Sequence, residues 1–108
     1  MVVIDHYVKE PQKLADDIRT LSQKTQARIM LGEFGAPIPD IHGKQTEEEQ
    51  AGWLDELLNL IQSQEEVIGL NYWVGFGGST AIFNNDYSAK PAAEIVKKYY
   101  TLPALPNP

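Results

Sequence analysis

Short apolar runs and longer stretches with helical spacing alternate along the chain, and this order occurs three times. Each unit opens with a few Val, Ile, Leu or aromatic residues and continues into a stretch where apolar side chains recur every three or four positions. The predicted strands cover residues 1–7, 28–31 and 67–76. A helix is predicted after each strand, beginning near Pro11, Thr46 and Pro91. The repeat is very roughly 35 residues long, the length of a βα unit.

The helix starts and faces are marked by local signals. Thr46 and Glu49 have the spacing of a capping box, and proline at 11 and 91 suits a first helical turn. The predicted apolar stripes consist of Leu14, Ile18 and Leu21, then Trp53, Leu54, Leu57, Leu58 and Ile61, then Ala92, Ile95, Val96, Tyr99 and Tyr100. Each stripe indicates a helix that packs one face against a sheet. Residues 37–43 are rich in turn formers and are predicted to be a loop.

Three successive βα units predict an α/β fold with a parallel sheet. One candidate is a small doubly wound sheet with strand order 2-1-3, although its G-x-G-x-x-G signal after the first strand is absent. The other is part of a (β/α)8 TIM barrel, which normally needs about 250 residues. We predict such a partial barrel over residues 1–101, followed by a Pro-rich tail over residues 102–108.

Composition narrows the classes of function. The 108 residues include 9 Lys and Arg against 15 Asp and Glu, so the net charge of −6 disfavours a nucleic-acid partner. No apolar run approaches the roughly 18 residues of a membrane span, and the start of the chain lacks the pattern of a signal peptide. A soluble chain with no membrane partner is therefore expected. Cysteine is absent, and no His or carboxylate spacing is typical of a metal site, so neither a metal nor another cofactor is predicted.

Four motifs resemble clan A glycoside hydrolases, the superfamily of retaining cellulases, mannanases and β-glucuronidases. The run Ile29–Gly35, which reads Ile-Met-Leu-Gly-Glu-Phe-Gly, looks like the seventh barrel strand of that clan. Gly69–Trp73 is similar to the eighth strand, and Asp5–Tyr7 lies where the sixth strand ends. Asp86–Ala92 is similar to the approach to the last helix. The resemblance covers nearly the whole chain, in the clan's order and spacing.

The resemblance implies roles for five residues. Glu33 corresponds to the catalytic nucleophile, Tyr7 to a phenol that orients it by hydrogen bonding, and Trp73 to a platform under the sugar. Asn71 and His6 are further candidates for sugar binding. If Trp73 faces the barrel axis, strand alternation places Asn71 and Gly69 on its side and Ile68, Leu70 and Tyr72 under the helices. The implied partner is a carbohydrate and the implied reaction is hydrolysis of a β-linked sugar with retention.

One expected residue is missing. A retaining glycosidase uses two carboxyl groups about 5–5.5 Å apart, and in clan A the second is a Glu after Asn on the fourth strand. The sequence contains no Asn-Glu dipeptide, and its three units would correspond to the sixth to eighth. Among replacement acids, Asp86 is preferred over Asp5 and Asp40 because it follows the eighth strand.

Two functions therefore stay open. The chain is either a segment of a hydrolase, whose parent protein is compatible with secretion, or a partial barrel that binds sugar, or serves a structural role, without turnover. In both cases self-association or a complementing chain is expected to cover the exposed sheet edges.

Three other features are interpreted without a functional role. Trp53 lies in a helical stripe and is predicted to be in the core, whereas His42 in the polar loop is predicted to be solvated. The run Glu47–Glu49 at a helix start is interpreted as capping and as a complement to the helix dipole.

Overall fold

The computed structural model describes residues 1–103, which form three strands and four helices. The elements are β1 (Val2–Asp5), α1 (Pro11–Thr25), β2 (Ile29–Phe34), α2 (Pro39–His42), α3 (Glu47–Ile61), β3 (Val67–Tyr72) and α4 (Pro91–Tyr100). Residues 104–108 of the predicted Pro-rich tail lie outside the described residues. The predicted α/β order is thus observed for all three units.

The three strands form one parallel sheet in the order β1-β2-β3. Because sequential strands are neighbours, the alternative of a doubly wound sheet with order 2-1-3 is wrong. The register shifts between Ile4 and Asp5 and again between Leu31 and Phe34. Both irregularities lie near the carboxyl ends of their strands, where a bulge turns a side chain away from its regular direction. Glu33 lies in the second of them.

The hydrophobic core lies between one face of the sheet and the helices α1, α3 and α4. Leu31 and Phe34 are fully buried in it, and Phe34 packs edge-on against Tyr72 with ring centroids 5.3 Å apart. The predicted stripes of α1 and α3 supply most of the remaining buried residues, which are Leu14, Ile18, Trp53, Leu54, Leu57, Leu58 and Ile61. The helix stripes therefore meet the sheet as predicted, except that Tyr100 at the end of α4 is 46% exposed.

The alternation predicted for β3 holds at two positions and fails at a third. Leu70 and Tyr72 pack against the core, but Ile68 is 46% exposed. The ladder pairs Ile29 with Val67 and then Met30 with Gly69, so Ile68 is an extra residue without a strand partner. Val67 contacts the core in its place.

The opposite face of the sheet carries side chains that no helix of the described residues covers. Val3 of β1 is 57% exposed there, and a Cβ added at Gly32 would lie 3.0 Å from it. A Cβ added at Gly69 would lie 2.6 Å from the sulfur of Met30. Neighbouring side chains thus lie over the two glycines of this face, which is partly apolar and open.

Local signals for helix ends are confirmed, with one exception. Glu49 N–H donates to Thr46 Oγ1 at 3.1 Å and Thr46 N–H donates to Glu49 Oε1 at 3.0 Å, which completes the capping box at α3. Residues 39–42, predicted to be loop, form the single turn α2, in which Pro39 occupies the first position. Among residues 1–103, no helix is long and apolar enough to cross a membrane.

Candidate functional site

The three candidate segments meet at the carboxyl edge of the sheet. Glu33 lies near the end of β2, Tyr7 follows β1, and Trp73 follows β3 directly. Backbone hydrogen bonds extend the ladder to both flanks, because His6 N–H donates to the Glu33 carbonyl at 3.0 Å and Trp73 N–H donates to the Phe34 carbonyl at 2.8 Å. The backbone on each side of Glu33 is therefore fixed by the sheet rather than by a free loop.

Glu33 and Tyr7 are in direct contact. The Tyr7 phenol donates a hydrogen bond to Glu33 Oε1, and both side chains are half-buried. Burial raises the pKa of Tyr7, and the hydrogen bond and charge of Glu33 raise it further. The phenol therefore stays protonated over the ordinary pH range and acts as a donor, which leaves Oε2 of Glu33 for other chemistry.

Trp73 has a fixed backbone and a partly exposed ring. Its side chain is 54% exposed, while its carbonyl accepts a hydrogen bond from the buried Thr80 hydroxyl. The same hydroxyl accepts from Val74 N–H at 3.0 Å, and the peptide between Trp73 and Val74 is cis. A Cβ added at Gly35 would lie 2.4 Å from the Trp73 carbonyl oxygen, so only glycine fits beneath this carbonyl. The arrangement presents a large aromatic face to solvent in a defined position.

Comparisons with known proteins bear on the fold. No family model and no curated protein sequence matches the chain. Among solved structures, a GH2 β-galacturonidase from Eisenbergiella tayi matches with 24% identity and a TM-score of 0.72, over 99% of this chain and 24% of that chain. A GH128 endo-β-1,3-glucanase from Sorangium cellulosum matches with 15% identity and a TM-score of 0.69, over 94% of this chain and 40% of that chain. The β-glucuronidase of Bifidobacterium dentium matches with 20% identity and a TM-score of 0.67, over 94% of this chain and 20% of that chain.

The fold of this chain is similar to part of the fold of known glycoside hydrolases. It spans only between 20% and 40% of the length of these three hydrolases. Two different families, GH2 and GH128, share the fold with it at low identity. The likeness therefore concerns the path of the chain, and the chemistry of the site has to be argued from its own residues.

The two further candidates for sugar binding, Asn71 and His6, differ in their surroundings. Asn71 is exposed near the carboxyl end of β3, two positions before Trp73. His6 contacts α1, because its Nε2 lies 2.8 Å from Asp17 Oδ2. Burial alone would raise the pKa of Asp17, but hydrogen bonds with Lys13 and His6 outweigh it and lower that pKa. The imidazole of His6 is thus held by α1, and its contact with a sugar stays a prediction.

The three carboxylates considered as replacement acids are all exposed to solvent. Asp86 accepts from the Ser88 hydroxyl and from Ser88 N–H at 3.0 Å, and these hydrogen bonds lower its pKa. A general acid needs a raised pKa, so these surroundings do not support the acid role suggested for Asp86 by the sequence, and that role stays a prediction. Asp5 and Asp40 are exposed to solvent. The described residues also contain no cluster of His and carboxylate side chains that could hold a metal ion.

A buried polar cluster, missed in the sequence, connects the loops after β2 and β3. Gln50 of α3 is 3% exposed, and its Nε2 donates to the carbonyls of Ala36 at 3.0 Å and Thr80 at 3.1 Å. The Tyr72 hydroxyl lies between the same two carbonyls, 2.9 Å from Ala36 O and 2.7 Å from Thr80 O. Because Thr80 also holds the Trp73 carbonyl, this cluster fixes the loop that carries the exposed ring. The signal in the sequence was the position of Gln50, three and four residues before Trp53 and Leu54, which places a polar side chain in line with the apolar stripe of α3.

We expect Gln50→Leu to lower the free energy of unfolding by about 2 kcal/mol, because it leaves buried carbonyl oxygens without a donor. Thermal or urea unfolding of the purified chain measures the change. The matched control is Gln23→Ala at an exposed position of α1, for which a change within about 0.5 kcal/mol is expected. Equal stability of Gln50→Leu and the wild type would show that the cluster does not stabilise these loops.

The predictions for Trp53 and His42, which were given no functional role, differ in how they compare with the structure. Trp53 is 9% exposed and its Nε1–H donates to the Lys9 carbonyl at 2.7 Å, so the core assignment is confirmed. His42 is not simply solvated as predicted, because its Nδ1 accepts from Ile38 N–H at 2.8 Å and its Nε2 lies 2.9 Å from the Val8 carbonyl. Its ring also packs edge-on against Trp53. His42 is thus a structural link between α2 and the loop after β1.

A cavity of about 240 Å³ lies away from the carboxyl edge. It is lined by Leu58, Ile61, Gln62, Leu70, Tyr99 and Tyr100. The Tyr100 hydroxyl donates to the Leu70 carbonyl at 3.1 Å, and partial burial raises the pKa of that phenol to about 12. The lining is mainly apolar and contains neither Glu33 nor Trp73, so the cavity is separate from the candidate site.

Proposed function

We propose that this chain is a segment of a retaining glycoside hydrolase that acts on β-linked sugars, with residues 1–101 forming three units of a (β/α)8 barrel. The observation that carries the proposal is the Glu33 carboxylate, which accepts a hydrogen bond from Tyr7 at the carboxyl edge of the sheet. The exposed ring of Trp73 follows the neighbouring strand at the same edge. Functional residues of barrel enzymes occupy this edge.

In the proposed reaction, Glu33 is the nucleophile, Tyr7 orients it and Trp73 binds the sugar. A carboxylate oxygen of Glu33 attacks the anomeric carbon as the bond to the leaving oxygen breaks, and water later hydrolyses the glycosyl ester. The Tyr7 phenol holds Oε1, which aims the carboxylate, and the Trp73 ring lies under the sugar and contacts its C–H bonds. Two displacements at the same carbon give retention.

The remaining part of the reaction needs residues from other strands. A second carboxyl group about 5–5.5 Å from the nucleophile serves as acid and base in retaining enzymes. The open face bearing Val3 and the sheet edges at β1 and β3 are the places where further strands would pack. We propose that they come from another part of a longer protein or from a complementing chain, because a second copy of this sequence lacks the same carboxyl group.

A second candidate function is carbohydrate binding without turnover. The surroundings of Asp86 favour it, because this exposed carboxylate accepts hydrogen bonds from Ser88 N–H and from the Ser88 hydroxyl, which stabilise its ionised form. In this case Trp73 binds the sugar as proposed, while Glu33 only accepts hydrogen bonds from hydroxyl groups.

Titration of the purified chain with a panel of β-linked glucosides, galactosides and uronides tests the sugar site that both functions share. We expect Trp73→Ala to weaken binding about tenfold or more, since it removes the central aromatic contact. The control is Ile68→Ala, which removes exposed apolar surface from the opposite end of the same strand. Native mass on the same sample reports whether a second copy covers the sheet. Equal affinity of Trp73→Ala and the wild type contradicts a sugar platform at this position.

A further inference from the structure

Three aromatic side chains form a cluster in the loop between β3 and α4. Phe76 stacks on Phe83 with ring centroids 5.2 Å apart and planes at 21°, and its other neighbour is Tyr87 at 5.3 Å and 72°. Phe76 is 45% exposed and Tyr87 is 78% exposed. Exposed apolar groups of this size that lie in contact with one another indicate a binding surface more often than isolated ones do. We call Phe76, Phe83 and Tyr87 the aromatic cluster.

The loop holds the aromatic cluster in place by backbone contacts. Phe83 pairs with Ala89 in an antiparallel bridge, and Asn84 N–H donates to the Ser88 carbonyl at 2.9 Å. Tyr87 N–H donates to the Asn84 carbonyl at 2.9 Å, and Tyr87 has a φ of 70°. A non-glycine residue in the left-handed region is uncommon and energetically unfavourable. The backbone of Tyr87 is therefore in an unfavourable conformation, and burial of its ring does not offset this because the ring lies in solvent.

The surroundings of the aromatic cluster favour a sugar over other ligands. The same loop presents Asn84, Asn85, Asp86 and Ser88, which carry amide, carboxylate and hydroxyl groups. Residues 76–89 contain no Lys or Arg, and the chain has a net charge of −6, so phosphate groups and anionic membranes are disfavoured. Flat apolar faces beside amide, hydroxyl and carboxylate groups match a pyranose ring, which has C–H faces and a rim of hydroxyl groups.

One member of the aromatic cluster, Phe76, is close to Trp73 along the chain. Three peptide units separate Trp73 from Phe76, so their Cα atoms are at most about 11 Å apart. Neighbouring rings of one oligosaccharide can therefore contact both positions. The loop between them is anchored, because Phe83 N–H donates to the Gly75 carbonyl at 3.1 Å.

We propose that the aromatic cluster is a second sugar subsite, adjacent to the one at Trp73, and that the ligand is a β-linked oligosaccharide rather than a single sugar on a small aglycone. This inference rests on the proposed function, because it needs the first ring at Trp73. The inference specifies the length of the ligand, because two aromatic positions bind two sugar rings of one oligosaccharide. Tyr87 is the main contact of the second sugar ring.

The test measures, by calorimetry on the intact chain, how the dissociation constant depends on the length of the oligosaccharide. The probes are β-1,3- and β-1,4-linked glucose oligomers from the disaccharide to the hexasaccharide, together with an aryl β-glucoside. Tyr87→Asn removes the ring and keeps a residue that tolerates the left-handed conformation. Tyr87→Phe keeps the ring and removes only the hydroxyl. We expect Tyr87→Asn to weaken binding of the longer oligomers about three- to tenfold and to leave the aryl glucoside unchanged, while Tyr87→Phe binds like the wild type.

The outcomes separate this inference from the function on which it rests. If Tyr87→Asn weakens all probes equally, or none, the second subsite is wrong although binding that depends on Trp73 stands. If it weakens only the aryl glucoside, the aromatic cluster binds an aglycone and the inference is overturned. If the wild type binds no probe, the proposed function fails and the subsite fails with it. Equal unfolding temperatures of the two Tyr87 variants show that the comparison reports binding and not folding.

Discussion

Glu33→Gln is expected to abolish covalent capture of a 2-deoxy-2-fluoro β-glycoside that carries a dinitrophenyl leaving group. Dinitrophenolate departs without protonation, so the reaction does not need the missing acid. The carboxylate of Glu33 attacks the anomeric carbon and the bond to the phenolate breaks, while the fluorine slows hydrolysis of the resulting ester. The wild type should gain the mass of one fluoroglycosyl group. A neutral amide is a poor nucleophile, so we expect the rate of capture to fall by about 10³ or more.

Two further variants make this result specific. Tyr7→Phe keeps the carboxyl group of Glu33 but removes the hydrogen bond to Oε1, so a smaller decrease of about tenfold is expected. Glu56→Gln changes an exposed glutamate of α3 and should react like the wild type. Fragment masses locate the modified residue. Modification of another carboxylate, or capture that persists in Glu33→Gln, contradicts the nucleophile assignment. A wild type that gains no mass contradicts reaction by these three units alone and favours binding without turnover.

The position of Glu33 was predictable because it depends on local sequence. A strand followed by glycines has a definite carboxyl end, and parallel βα units bring all such ends to one edge. Helix faces were predictable for the same reason, since the stripe of α3 and the capping box of Thr46 each involve residues within a few positions. The sequential strand order followed once the units were interpreted as part of a barrel.

The parts that escaped prediction depend on residues far apart in the chain. His42 is bonded to the Val8 carbonyl, and Gln50 to the Thr80 carbonyl, in pairs separated by about 30 positions. Spacing rules cannot find such partners, because they describe one helix or strand at a time. The bulge at Ile68 is similar, since it depends on how two strands align rather than on the strand itself.

The second large effect is expected at Gly35. A methyl group there would lie 2.4 Å from the Trp73 carbonyl oxygen and 3.3 Å from the Thr80 side chain. The nearest atom belongs to the backbone and is held by the buried Thr80 hydroxyl, so no flexible side chain can move aside. We expect Gly35→Ala to lower the free energy of unfolding by about 3 kcal/mol, the upper part of the range for overpacking. For a domain of this size, each kcal/mol shifts the unfolding temperature by about 4–8 °C.

Gly52→Ala is the matched control, and the opposite sign is expected for it. Gly52 lies within α3, and a Cβ added there meets no atom within 4 Å. Alanine is the better helix former, so this variant should be about 1 kcal/mol more stable than the wild type. Thermal unfolding of the two variants then separates a general effect of losing glycine from the contact beneath Trp73. If Gly35→Ala is as stable as the wild type, the loop after β3 moves without cost. Trp73 then lacks the fixed backbone that the proposed sugar platform requires. In that case its ring binds sugar only by adjusting its position to each ligand.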